Sequence, residues 1–238
     1  MAKALVLIGH GSARNPNTRL PLCHVVQEVK RRGLYDEVRC GLLKQEPRVC
    51  KTLDPIQSED ITIVPFFISD GYYTRNVIPC CLGLKGKNEQ RNIRYTSAIG
   101  SHPKFSELIL SHAKEAGWKP GDALVILGHG TPKNPASGIN VYLQAERVRQ
   151  QIPQEEILTT FIDESPFVTD VWSLAKASRM FIVPLFIGNG WHVTETIPED
   201  LGLDDQFRGT KDGREVIMTS AVGTDPRLVD IILEIAEE

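Results

Sequence analysis

Two tandem α/β units, each a mainly parallel four-stranded sheet flanked by helices, are the fold that the sequence predicts for this chain of 238 residues. Three observations carry the prediction. The chain repeats itself once along its length. Within each copy, short apolar runs alternate with stretches of helical spacing. The apolar runs are short and unbroken and end at glycine or proline, as strands buried on both faces do.

The repeat is read by laying the chain against itself. Leu5-Val-Leu-Ile-Gly-His-Gly-Ser12 returns as Leu124-Val-Ile-Leu-Gly-His-Gly-Thr131, with 119 residues from His10 to His129. The same offset pairs Asn15-Pro16 with Asn134-Pro135 and Glu46-Pro47 with Ser165-Pro166. It also pairs Ile63-Val-Pro-Phe-Phe-Ile68 with Ile182-Val-Pro-Leu-Phe-Ile187, Ile78-Pro79 with Ile197-Pro198, and Leu82-Gly-Leu84 with Leu201-Gly-Leu203. Toward the ends the offset becomes 123, Ser97-Ala-Ile-Gly100 matching Ser220-Ala-Val-Gly223. Two copies are too few for a solenoid, so the reading is a first lobe over 1–118 and a second over 119–238, joined near Gly117 to Asp122.

In the first copy, Ala4–Ile8 reads as a buried strand; it is too short, and lacks the cleavage site, for a signal peptide. Leu20–Arg32 has helical spacing at Leu22, Val25, Val26 and Val29, with Gly33 as its stop. Glu37–Leu43 is a second strand, Val49–Ile56 a short helix, Ile61–Phe67 a third strand, Asn92–Ile99 a fourth and Phe105–Ala116 a closing helix. The second copy repeats the order with Ala123–Leu127, Ile139–Gln151, Glu156–Ile162, Val168–Ala177, Met180–Ile187, Glu215–Val222 and Leu228–Glu237.

Composition narrows the function. A formal net charge of −3 and 24% charged residues leave no basic footprint for nucleic acid. No apolar run approaches the roughly 20 residues of a membrane span, so the cytoplasm is the expected compartment. The five cysteines, Cys23, Cys40, Cys50, Cys80 and Cys81, are odd in number and show no Cys-x-x-Cys spacing, which argues against a disulfide framework or a zinc knuckle. Reduced thiols are expected. P-loop, nucleophile-elbow and dinucleotide fingerprints are missing, so no organic cofactor is expected.

Ligands of parallel α/β sheets sit beyond the carboxyl ends of the strands, which directs attention to two segments in each copy. Gly9-His10-Gly11 and Gly128-His129-Gly130 place an imidazole in a glycine turn, where it either meets a ligand or merely caps. In the second copy, Pro184-Leu-Phe-Ile-Gly-Asn-Gly-Trp-His192-Val-Thr-Glu195 adds a second imidazole and a carboxylate. On one helical turn His192 and Glu195 would be neighbours. With His129 they form a set suited to Co²⁺, Fe²⁺, Ni²⁺ or Zn²⁺ with positions left open. The first copy has Tyr73 and Asn76 at the corresponding places. One metal site, in the second half, is therefore expected, with His10 left as a proton relay, a secondary ligand or a relic.

These motifs, in this order and over essentially the whole chain, resemble the CbiX/SirB group of class II chelatases, the sirohydrochlorin cobaltochelatases and ferrochelatases, in their double-length form. The resemblance implies two flavodoxin-like lobes, a tetrapyrrole held in the cleft between them and a divalent metal, itself a substrate, on His129 and His192 with Glu195 following. It implies insertion of Co²⁺ or Fe²⁺, or else Ni²⁺, into the ring with loss of two protons. Trp191, Tyr72 and Tyr73 are candidate walls for the ring; Arg14, Arg75 and Lys133 are candidate anchors for its carboxylates, although ordinary packing aromatics and surface charges account for them equally. A monomer or a homodimer is compatible with the duplication. The rival readings are a metal or tetrapyrrole carrier on the same lobes, and a histidine-nucleophile hydrolase or phosphotransferase; the latter lacks an arginine beside either Gly-His-Gly.

Overall fold

The computed structural model describes residues 2–13, 15–131 and 138–238. It contains two compact units, Met1–His102 with Pro226–Glu238, and Pro103–Asp225. In the first, β1 (Lys3–Gly9), β2 (Glu37–Leu42), β3 (Asp60–Pro65) and β4 (Asn92–Tyr95) form a sheet of order β2-β1-β3-β4, parallel throughout. Its helices are α1 (Leu20–Arg32), the short α2 (Ile78–Cys81) and, from the far end of the chain, α7 (Leu228–Glu237).

The unbroken apolar run of β1 is explained by burial on both faces. Alternate side chains point to opposite sides of a strand, and Ala4, Val6 and Ile8 pack with Val49, Leu53, Ile56, Ile61, Ile63, Ile78 and Leu82. Leu5 and Leu7, between them, are also fully buried. Gly33 ends α1 in the left-handed conformation its sequence position predicts, with φ 66°.

The second unit repeats the plan with β5 (Ala123–Gly128), β6 (Ile157–Phe161), β7 (Arg179–Pro184) and β9 (Arg214–Met218), all parallel. It holds α3 (Phe105–Glu115), α4 (Ile139–Gln151), α5 (Val171–Leu174) and α6 (Ile197–Leu201). Ala123, Val125 and Leu127 of β5 pack with Val168, Met180, Ile182, Val193, Ile197 and Val216. A fifth strand, β8 (Arg208–Lys211), joins antiparallel to β9, giving the order β6-β5-β7-β9-β8. This sheet is thus one strand larger than expected. Asp212 and Gly213 close the hairpin with φ 53° and 75°, the conformation for which Asp-Gly turns are favoured.

Two further differences from the sequence reading have physical causes. The compact units are not the repeat halves 1–118 and 119–238: α3 packs on α4 and β7 in the second unit, and α7 on α1 and β3 in the first. Each arrangement is tied by a histidine and carboxylate. His112 of α3 lies 2.9 Å from Asp225 with both side chains buried, and His102 lies 3.6 Å from Glu238 beyond α7. The expected helices Val49–Ile56 and Val168–Ala177 shrink to a 3-10 turn, Val49–Lys51, and to a 3-10 turn, Val168–Asp170, followed by α5. Carbonyls left open beyond these short turns are taken by arginines. Arg91 donates to Leu53 and Ile56, and its counterpart Arg214 to Trp172 and Ala175. No helix among the described residues is long and apolar enough to cross a membrane.

Candidate functional site

In a sheet of order 2-1-3-4 the chain leaves the first and third strands in opposite directions, and the carboxyl ends of those two strands border a crevice. In the second unit these are β5 and β7. His129 directly follows β5, and His192 stands eight residues beyond Pro184 at the end of β7. The fold therefore brings together two histidines 63 positions apart: their ring centroids are 5.1 Å apart, nearly perpendicular.

Each imidazole is held by its surroundings. His129 Nδ1 lies 3.0 Å from the Gly130 carbonyl, which can only accept, so Nδ1 is the donor of this contact and Nε2 is the nitrogen left for a ligand. Gly130, at φ 69°, supplies the turn that makes this contact. Phe186 packs edge-on to the same ring at 6.4 Å. Burial lowers the His192 pKa below the usual histidine value; His129 adds to the lowering and Asp163 opposes it. The neutral form of His192, the one in which imidazole binds a metal, is thereby favoured.

The turn that carries His192 is a π-helical turn, His192–Thr196. Such turns are uncommon and recur at functional sites. Of the expected set of His129, His192 and Glu195, the two histidines lie together, and Glu195 belongs to the same π-helical turn as His192. Glu195 also lines a groove with Thr194, Glu199, Leu203, Asp204 and Asp205. The nearby carboxylate is one the sequence reading passed over. Asp163 follows β6, its Oδ2 is 3.4 Å from His129 Nδ1, and both side chains are about half exposed, at 50% and 51%. Its backbone N–H donates to the His129 carbonyl at 3.0 Å. The signal available was its place just before the repeated X-Pro pair, with Lys44 at the corresponding position.

A backbone clasp holds the loop leading to His192. Gly223 N–H donates to the Phe186 carbonyl at 2.8 Å, and Ala221 N–H to Asn189 Oδ1 at 2.8 Å. A side chain at Gly223 would come within 2.3 Å of the Ile187 backbone, so only glycine allows this approach. The first unit has the same clasp: Gly100 N–H donates to Phe67, and Ala98 N–H to Asp70 Oδ1.

Other candidates fall as follows. Trp191, beside His192, is 69% exposed. In the first unit Tyr73 takes the place of His192, its ring 5.2 Å from that of His10 and nearly perpendicular. Tyr72 lies against Tyr73 at 6.1 Å, and Arg75 is exposed within the matching π-helical turn, Tyr73–Val77. Arg14 and Lys133 lie outside the described residues. All five cysteines are free thiols.

The CbiX family model matches residues 4–116 and again 123–238. The probable sirohydrochlorin cobaltochelatase of Halobacterium salinarum is 33% identical over 99% of this chain and 91% of its own length. The sirohydrochlorin cobaltochelatase of Methanopyrus kandleri, at 26% identity, aligns 96% of its length with 48% of this chain. Among solved structures, a multi-domain protein of Deinococcus radiodurans with structural similarity to chelatases superposes on the whole chain with a TM-score of 0.83 and 25% identity; this chain spans 55% of that one. SirB from Bacillus subtilis with Fe³⁺ gives a TM-score of 0.80 at 18% identity, covering 100% of this chain and 95% of its own.

Proposed function

The chain belongs to the CbiX family, and from that membership we propose that it inserts a divalent metal ion, Co²⁺ first among the candidates, into sirohydrochlorin or a closely related ring. The observation that carries the reading is the His129–His192 pair, 5.1 Å between centroids at the carboxyl ends of β5 and β7. Two nitrogen donors with bonds of about 2.0–2.1 Å can share one ion at that spacing.

The metal is a substrate here, and the site has to give it up. Two imidazoles without thiolates hold Co²⁺, Fe²⁺ or Ni²⁺ with moderate strength and leave positions open for water and then for ring nitrogens. The lowered pKa of His192 eases metal binding, because less of it carries a proton that has to leave first. Asp163 orients His129 and offsets the charge of the arriving ion. As metal enters the ring, two N–H protons leave it; Asp163, beside the metal-holding imidazole, accepts one and solvent water the other. Trp191 offers an exposed aromatic face to the ring. We place the acidic role on Asp163 rather than on Glu195, and take the enzyme to act in the cytoplasm as a monomer or homodimer.

The test is anaerobic absorbance of sirohydrochlorin with Co²⁺, comparing no enzyme, the wild-type protein and His192→Ala. Acceleration by the wild type that His192→Ala loses is the expected result. A rate no faster than the spontaneous one, with Fe²⁺ and Ni²⁺ also tried, would overturn the proposal and leave a metal or ring carrier.

A further inference from the structure

The first unit keeps the frame of the metal site and reverses its chemistry. His10 follows β1 as His129 follows β5, with Nδ1 bonded to the next carbonyl at 2.8 Å. Phe67 packs edge-on to His10 at 6.3 Å, as Phe186 does to His129 at 6.4 Å. The tyrosine ring at position 73 is 5.2 Å from His10, where the second unit has an imidazole at 5.1 Å. Lys44 N–H donates to the His10 carbonyl at 2.9 Å, so Lys44 occupies the backbone position from which Asp163 reaches His129.

At the two positions beside the histidine turn the second unit carries Asp163 and Glu164, and the first has Lys44 and Gln45. Both acids are gone there and a cation has entered, a change that disfavours a metal ion. This surface offers an ammonium group and a phenol O–H to an anion, beside the exposed faces of Tyr72 and Tyr73, at 68% and 42%. Lys44 is exposed.

We infer that the His10–Tyr73–Lys44 constellation of the first unit is a carboxylate-binding site for a flat, acid-bearing ring, and that it recognises the substrate's carboxylate arms instead of a second metal. The inference rests on the chelatase reading for the identity of the ring. Lys44 and the Tyr73 hydroxyl donate to the carboxylate, His10 packs edge-on to hold Tyr73 in place, and Tyr72 and Tyr73 present aromatic surface to the ring. The duplication thus divided the labour, one copy of the motif for the metal and the other for the anion.

The experiment uses the full-length protein as wild type, Lys44→Glu and Lys44→Arg. Binding of metal-free uroporphyrin, of its uncharged methyl ester and of citrate is followed by fluorescence or competition, and Co²⁺ binding by calorimetry. The expected result is at least tenfold weaker uroporphyrin binding in Lys44→Glu, near wild-type binding in Lys44→Arg, and one Co²⁺ per chain with unchanged affinity in all three. Uroporphyrin binding unaffected by Lys44→Glu overturns the inference, as does a Lys44-dependent affinity for citrate equal to that for the porphyrin, which would mark a small-anion site. Two Co²⁺ per wild-type chain overturns it as well. If the wild type accelerates metal insertion while Lys44→Glu leaves KM and kcat untouched, only this inference fails. If the wild type neither accelerates insertion nor binds uroporphyrin, the chelatase reading fails with it.

Discussion

Asp163→Asn tests whether the structure has identified the right carboxylate. The change keeps the side-chain volume and removes one negative charge 3.4 Å from His129 Nδ1. Opposite charges about 4 Å apart interact by about 1 kcal/mol in a water-like medium and by about 4 kcal/mol where the effective dielectric constant is near 20. Half of each side chain is exposed, which places the effect near the lower figure. Outer partners of metal-binding histidines typically contribute about 10- to 100-fold in affinity or activity. The two estimates meet at about tenfold, or about 1.4 kcal/mol. Calorimetric titration with Co²⁺ should therefore show about tenfold weaker binding by Asp163→Asn, while Glu195→Gln, whose carboxylate lines a different groove, stays within twofold of wild type. Affinity unchanged in Asp163→Asn, or a larger loss in Glu195→Gln, would refute the argument and return the acidic role to Glu195.

Two other outcomes are expected. In the metal-free protein, an NMR titration of imidazole resonances should find His192 with a midpoint below the usual value of about 6.5, because burial disfavours its charged form. His129→Gln should return that midpoint only part of the way, since burial is the larger cause; a midpoint at or above 6.5 in the wild type would contradict the site's electrostatics. Gly223→Ala puts a methyl group 2.3 Å from the Ile187 backbone. It should cost about 2–3 kcal/mol in urea denaturation and also weaken Co²⁺ binding, because the loop that carries His192 has to shift. The matching Gly100→Ala, which meets Ile68 in the first unit, should cost similar stability and leave Co²⁺ affinity alone. Equal loss of metal binding in both would show that the clasp at Gly223 has no local link to the site.

The sequence by itself determined the duplication, the strand–helix alternation, the parallel order and the two histidines. Burial on both faces forces an unbroken apolar run such as Leu5–Ile8, and a ligand-facing histidine at a strand tip needs the glycines beside it; both are written in consecutive residues. The hairpin of β8 and β9 was legible too, in Asp212-Gly213 and in the growth of the offset from 119 to 123, which marks inserted residues at that point. Other features only the tertiary structure decided. His192 and Glu195 stand on a π-helical turn, and residue spacing does not show which kind of turn will form. Asp163 reaches His129 from a different strand, across a gap in sequence that no local pattern spans. The placement of α3 in the second unit and α7 in the first was equally hidden. Equivalent helices covering equivalent sheets satisfy the same apolar positions either way, so the pattern of buried residues cannot record which sheet each helix covers.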